Sequence, residues 1–231
     1  IIEHSPYKQV LSTHKMPEAV WFEGATLNYA EHIFRQKNAA NTALIFQNEI
    51  TRTTIDWANL ENQVKVVQAF LIEKGIKKGD CVAGYLPNIP ETIICFLAAN
   101  SIGAVWSCCS PDFGVETVIE RFSQIEPKLF ITCDGYQYNG KPHSRLAEVD
   151  KIRTAIPTFE ATLFIPYLNK NAILNQSNHW QNIINKNISE APLKFTAVEF
   201  NHPIWVLYSS GTTGRPKAIT HSHGGVLLEH L

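Results

Sequence analysis

The amino-acid sequence predicts an α/β fold, a mostly parallel sheet flanked by helices. Two observations carry that expectation. From residue 81 onward short apolar runs alternate with helical patterns: CVAGYL (81–86), a helix opened by Pro90 and reaching about Ser101, AVWSCC (104–109), a helix from about Val115 to Gln124, KLFITC (128–133), a helix near 144–155, and TLFI (162–165). The runs are also continuously apolar rather than alternating, which is the pattern of parallel strands covered on both faces.

The segments before this body read in order. Asn28-Tyr29-Ala30-Glu31 has the form of a capping box, and Leu27, Ala30, Ile33 and Phe34 share a face, so 28–37 reads as a short helix. ALIFQ (43–47) and TRTTI (51–55) are strand-like and joined by Asn48-Glu49, a hairpin. Asp56 caps a helix whose stripe of Trp57, Leu60, Val64, Val67 and Leu71 follows steps of three and four, and Gly75 stands where a left-handed terminating residue is wanted. After TLFI, residues 167–202 are Asn-rich and patternless apart from a short helix near Trp180–Ile184, and read as an irregular connection. The expected organisation is an N-terminal cap segment (1–41), a first α/β subdomain (42–200) and the start of a second subdomain (201–231). The chain lacks an initial Met and stops at Leu231 inside the helix-like pattern GGVLLEHL, which suggests a piece of something longer.

Composition narrows the function classes. Twenty Lys+Arg against 21 Asp+Glu leave a formal charge of -1, so no global field favours nucleic acid or an anionic membrane, and any anion site must be local. No run approaches the roughly 18 uninterrupted apolar residues of a membrane span, and residues 1–20 are too polar for a secretory signal. Cys81, Cys95, Cys108, Cys109 and Cys133 are odd in number, lack CxxC spacing and sit mostly in apolar runs, as free buried thiols do. These features fit a cytoplasmic globular protein without nucleic-acid or membrane partners.

The chemistry concentrates in PIWVLYSSGTTGRPKAIT (203–220). A buried apolar strand breaks into Ser209, Ser210, Gly211, Thr212, Thr213 and Gly214, and a return strand begins after Arg215, Pro216 and Lys217. Phosphate oxygens are held well by many short donors converging from one loop: glycines admit close backbone approach, hydroxyls donate, and a lysine supplies charge. The alternative is a flexible polar turn. The flanking strands and the Pro-Lys exit favour a phosphate cradle. It is not the Walker type, because only two residues separate Gly211 from Gly214 and Lys217 is displaced, and the absence of GxGxxG disfavours a dinucleotide fold. His221 and His223 have HxH spacing that could suit a metal, although strand-end packing and capping is the favoured role. Trp106 could line a pocket, with packing against the sheet favoured.

The string YSSGTTGRPK closely resembles the phosphate-loop signature of the adenylate-forming superfamily, which comprises acyl- and aryl-CoA synthetases, peptide-synthetase adenylation domains and beetle luciferases. WFEGATLNYAEHIF (21–34) and KGIKKGDCVAGYLPNIPETIICFLAANSIGAVWS (74–107) are similar to the N-terminal region of short-chain acyl-CoA synthetases. GAVWSCCSPDFG (103–114) and HSHGGVLLEHL (221–231) most resemble the acetoacetate-activating branch. The resemblance covers nearly the whole chain but only the N-terminal portion of the family's length, part of its large N-terminal domain.

That resemblance implies a two-step ligase reaction. A carboxylate attacks the α-phosphate of ATP, pyrophosphate leaves, and the CoA thiol takes the acyl group from the adenylate, with ATP, Mg2+ and CoA as co-substrates. By the same resemblance Ser209, Ser210, Gly211, Thr212, Thr213, Gly214 and Lys217 would hold the β- and γ-phosphates, with Lys217, Thr212 and Thr213 the catalytic set. The turn at 110–114 and the loop DGYQYNGK (134–141) would lie near the CoA nucleotide, with Lys141 as a phosphate partner. The adenine, magnesium and ribose contacts and a C-terminal lysine of the family lie downstream, so these 231 residues alone would be inactive. An acetyl- or other short-chain synthetase, a luciferase-like oxygenase and a non-catalytic nucleotide-binding module are the alternatives.

Overall fold

A computed structural model of the chain describes residues 2–35, 37–186, 192–209, 214 and 216–230. β1 (Thr26–Leu27) leads into α1 (Tyr29–Phe34). The Asn28 carboxamide oxygen caps this helix, accepting from Ala30 N at 2.9 Å and Glu31 N at 3.4 Å. Its nitrogen donates to the carbonyls of Asn100 (2.9 Å) and Thr196 (2.8 Å), so one buried side chain ties the N-terminal segment to two distant parts of the chain. The Glu31 carboxylate pairs with His4 Nε2 at 2.6 Å.

β2 (Thr42–Gln47) and β3 (Arg52–Asp56) form the expected hairpin. The Asn48 side chain shapes its turn by accepting from the amides of Ile50 and Thr51. α2 (Trp57–Glu73) starts where Asp56 accepts from Asn59 N at 2.7 Å. It buries Leu60, Val64, Val67 and Leu71, and is followed by Gly75 at φ +77°.

The remaining elements are β4 (Cys81–Tyr85), α3 (Pro90–Ser101), β5 (Val105–Cys109), α4 (Val115–Phe122), β6 (Leu129–Cys133), β7 (Gly135–Tyr138), β8 (Lys141–Ser144), α5 (Leu146–Ala155), β9 (Ala161–Ile165), β10 (Asn178–His179), α6 (Trp180–Ile184), β11 (Val198–Glu199), β12 (Pro203–Ser209), β13 (Lys217–Ser222) and α7 (His223–Glu229). A seven-stranded sheet runs in the order β10-β9-β6-β4-β5-β12-β13, with every neighbouring pair parallel except β12–β13. Residues of α1, α2 and α3 pack with Val82, Leu129, Ile131 and Leu163 in one core. α4 and α5 pack with Ala83, Tyr85, Phe130 and Phe164 in the other. Sheet residues thus alternate between two apolar layers, which is why these strands read as unbroken hydrophobic runs. Among the described residues no helix is long and apolar enough to cross a membrane.

Three details differ from the sequence reading. Residues 134–141, expected as a loop, contribute to the antiparallel hairpin β7–β8, whose turn residues Asn139 (φ +50°) and Gly140 (φ +70°) both adopt left-handed backbone. An Asn-Gly pair is suited to that two-residue turn. The 167–202 stretch contains β10 and β11 besides the expected helix at 180–184. β12 is not buried on both faces: Ile204 and Val206 are buried, Trp205 is half-buried and Leu207 is 46% exposed. It pairs with β13, exposed from Lys217 to His221, in an edge hairpin where period two replaces the continuous run.

Candidate functional site

The ends of the predicted phosphate loop are held by sheet pairing. Ser209 closes β12 and Lys217 opens β13, and the two are register partners, preceded and followed by the pair Tyr208 and Ala218. The pairing places Ser209 and the exposed Lys217 side by side at the two ends of the intervening sequence. Gly214 is exposed at φ +89°, a backbone setting that favours glycine, and Pro216 is buried at the exit. Ser210, Gly211, Thr212, Thr213 and Arg215 lie outside the described residues. Of the sequence-derived set, the structure therefore pairs Ser209 with Lys217, with Gly214 exposed three residues before Lys217.

Lys141 sits elsewhere, exposed at the start of β8 beside the Asn139-Gly140 turn. That turn is gripped by a residue the sequence reading did not single out. The Glu49 carboxylate accepts from Asn139 N at 2.7 Å and Gly140 N at 2.6 Å. Further along the hairpin Tyr136 stacks on His143, with centroids 5.0 Å apart, and the Arg145 guanidinium lies 5.2 Å from the Tyr136 ring. Arg145 Nε donates to Pro111 O at 2.7 Å, and the Tyr85 hydroxyl donates to Pro111 O and Phe113 O, each at 2.9 Å. The two segments read as CoA-proximal, 110–114 and 134–141, are thus tied into one unit. Buried Asp134 anchors the neighbouring loop, its carboxylate accepting from the amides of Tyr167 and Leu168 at 2.8 Å and Asn169 at 2.7 Å. The Asn-Gly pair was the one local signal that could have found the hairpin. Glu49, Arg145 and Asp134 act on partners up to 91 residues away, at no recognisable spacing.

The two histidines part company: His221 is exposed on β13, its ring 5.9 Å from that of Trp205. His223 is fully buried at the start of α7, and its Nδ1 accepts from Tyr29 N at 3.1 Å, joining the N-terminal helix to the start of α7, directly after β13. Burial, with smaller contributions from His202 and Lys78, lowers its pKa to about 3. The ring is neutral and its Nδ1 is free to accept. Among the described residues no group of three or more His, Cys, Asp or Glu is placed to hold a metal. Trp106 packs inside the sheet, where a Cβ on Gly84 would come within 3.0 Å of its ring. The five thiols are free, and burial pushes those of Cys108, Cys109 and Cys133 up to about 12, so they behave as small apolar groups. A cleft of about 570 Å3 opens among Phe46, Ile89, Glu91, Tyr167 and Trp180, and another of about 620 Å3 beside Trp205, Thr220 and Glu229. Neither is lined by Ser209, Gly214, Lys217 or Lys141.

Residues 31–230 match the family model described as AMP-binding enzyme, and the chain belongs to that family. It is 43% identical over 237 residues to an acetoacetyl-coenzyme A synthetase of Rhizobium meliloti (strain 1021), covering 100% of this chain and 36% of the relative. It is 38% identical over 246 residues to the acetoacetyl-CoA synthetase of Macaca fascicularis, with the same coverage. The solved structure of an acetoacetyl-CoA synthetase from Streptomyces lividans superposes with a TM-score of 0.93 at 43% identity, covering all of this chain and 35% of that one. The chain thus spans 36% of the length of these curated relatives.

Proposed function

We propose that the chain is the N-terminal portion of an ATP-dependent acid–CoA ligase acting on acetoacetate. The observation that carries this reading is similarity along 100% of the chain to acetoacetyl-CoA synthetases. The register pairing of Ser209 with Lys217 at the mouth of the loop supports it. In the reaction an acetoacetate oxygen attacks the α-phosphorus of ATP, the bond to the bridging oxygen breaks, and pyrophosphate leaves with the electron pair. The CoA sulfur then attacks the acyl carbonyl and AMP departs, the thiol proton passing to solvent.

The role of this chain is to hold the leaving group. Charge accumulates on the β-phosphate as pyrophosphate departs, and donors aimed there stabilise the transition state more than bound ATP. Ser209, Ser210, Gly211, Thr212, Thr213 and Gly214 supply those donors and Lys217 supplies the charge. Magnesium would be a co-substrate together with ATP. Lys141 would meet a phosphate of CoA from the turn that Glu49 holds.

The test is ATP–pyrophosphate exchange in the full-length enzyme. Lys217→Ala should weaken pyrophosphate-side binding by about 1.5–3 kcal/mol, the scale of a charge-assisted hydrogen bond, with the fold intact. Exchange should depend on acetoacetate far more than on acetate. An unchanged KM for ATP and unchanged rate in the variant would remove the loop assignment, and equal rates with acetate would remove the acyl assignment.

A further inference from the structure

We propose that the end of α4 and the turn that follows it are a positioning platform for the 209–217 loop, with Arg121 and Gln124 fixing the chain on either side of it. The inference rests on reading that loop as the ATP phosphate site.

On the entry side, the Tyr208 hydroxyl donates to the Arg121 carbonyl at 2.8 Å. On the exit side, Gln124 Nε2 donates to the Pro216 carbonyl at 3.2 Å and to Glu120 O at 3.0 Å, so one amide hydrogen serves the helix and the other the loop. Tyr208 and Pro216 bracket residues 209–215, and Lys217 comes directly after. Arg121 and Gln124 are three residues apart, hence neighbours on one side of the helix end. The Arg121 guanidinium lies 4.9 Å from the Phe113 ring and 5.8 Å from the Tyr208 ring, and Nη1 donates to Thr117 O at 3.0 Å. It fills the space between the 110–114 turn and β12.

Sheet pairing alone would leave the loop on an edge hairpin whose β13 strand is exposed. Exposed ladder bonds compete with water, and two-stranded edges twist. α4 supplies a reference outside the sheet plane, and it is itself fixed by buried Val118 and Phe122. Burial raises the Tyr208 hydroxyl to about 12, which keeps its proton in place for donation. A small displacement of Tyr208 or Pro216 would carry the adjoining Ser209 or Lys217 out of place, and positioned groups lose effect steeply with displacement.

The experiment uses the full-length enzyme and two variants that preserve shape, Gln124→Met and Tyr208→Phe, with Gln124→Lys as the rescue because it restores a donor. Each of the first two should raise KM for ATP in pyrophosphate exchange about three- to tenfold, the scale of one lost hydrogen bond, with KM for acetoacetate unchanged. Gln124→Lys should recover most of the loss. Wild-type KM for ATP in both Gln124→Met and Tyr208→Phe, alongside an impaired Lys217→Ala, overturns the platform and leaves the phosphate loop standing. Gln124→Lys behaving like Gln124→Met also overturns it, since volume rather than the hydrogen bond would then matter. An unaffected Lys217→Ala removes the loop reading itself and the platform with it. Should Gln124→Met lower the melting temperature, Tyr208→Phe, which deletes one oxygen atom, decides alone.

Discussion

β6 and β12 belong to the same sheet and look alike as sequence, yet they occupy opposite physical regimes. Every residue of β6 from Leu129 to Cys133 is buried, with helices on both faces. In β12 burial alternates, and its antiparallel neighbour faces solvent. The difference teaches how the molecule divides its labour. The doubly covered strands supply a scaffold with few alternative packings, and the groups read as phosphate-facing are carried where the sheet becomes open and antiparallel. Scaffold contacts such as the α4 turn then steady that edge.

The largest expected effect breaks the scaffold. Phe130 of β6 is fully buried, stacked on Phe159 at 4.7 Å and edge-on to Phe122 at 6.5 Å. Phe130→Ala would leave a cavity between the sheet and α4–α5 and should cost about 3–5 kcal/mol of unfolding free energy. Equilibrium denaturation measures it. A loss below about 1 kcal/mol, within the range of surface changes, would mean that this face is not close-packed.

A second prediction tests the join between the N-terminal helix and the open edge. His223 titrates near 3 in the fold against 6.5 unperturbed, so below pH 6.5 the unfolded chain takes up a proton that the folded chain refuses. Its contribution is complete above pH 6.5 and falls by about 1.4 kcal/mol per pH unit as the solution is acidified toward the folded value. His223→Asn keeps an acceptor for Tyr29 N and does not titrate there. Its unfolding free energy should vary less steeply with pH over that window than the wild type's. Parallel profiles would show that the ring is protonated in place.

How much of this was legible depends on whether the cause is local. The α2 stripe, its Asp56 cap and Gly75 lie within 20 residues of one another, and period, start and stop agree. The strands β4, β5, β6 and β9 were readable because burial on both faces writes a continuous apolar run. The strands β12 and β13 were readable because the apolar IWVLY and the return strand AIT flank a polar stretch. The β7–β8 hairpin carries an Asn-Gly signal, but GYQY and KPHS offer little apolar alternation to mark them as strands. Gln124 with Pro216, 92 residues apart, and Glu49 with Gly140, 91 apart, leave no mark on the residues around them. Such partners are created by the fold and become visible only with it.

The smallest expected effect sharpens the comparison within β12 itself. Val206 is buried, whereas Leu207 is exposed opposite Ile219, which is 43% exposed on β13. Threonine suits a strand at either position, so backbone propensity is nearly constant between the two variants. Val206→Thr keeps volume but places a hydroxyl in an apolar setting, costing about 1–3 kcal/mol unless it finds a partner. Leu207→Thr loses only part of one cross-strand apolar pair and should stay within about 0.5 kcal/mol of the wild type. Equal costs at the two positions would mean that the outer face of β12 is covered in solution, and that the unbroken run IWVLY describes a strand buried on both sides after all.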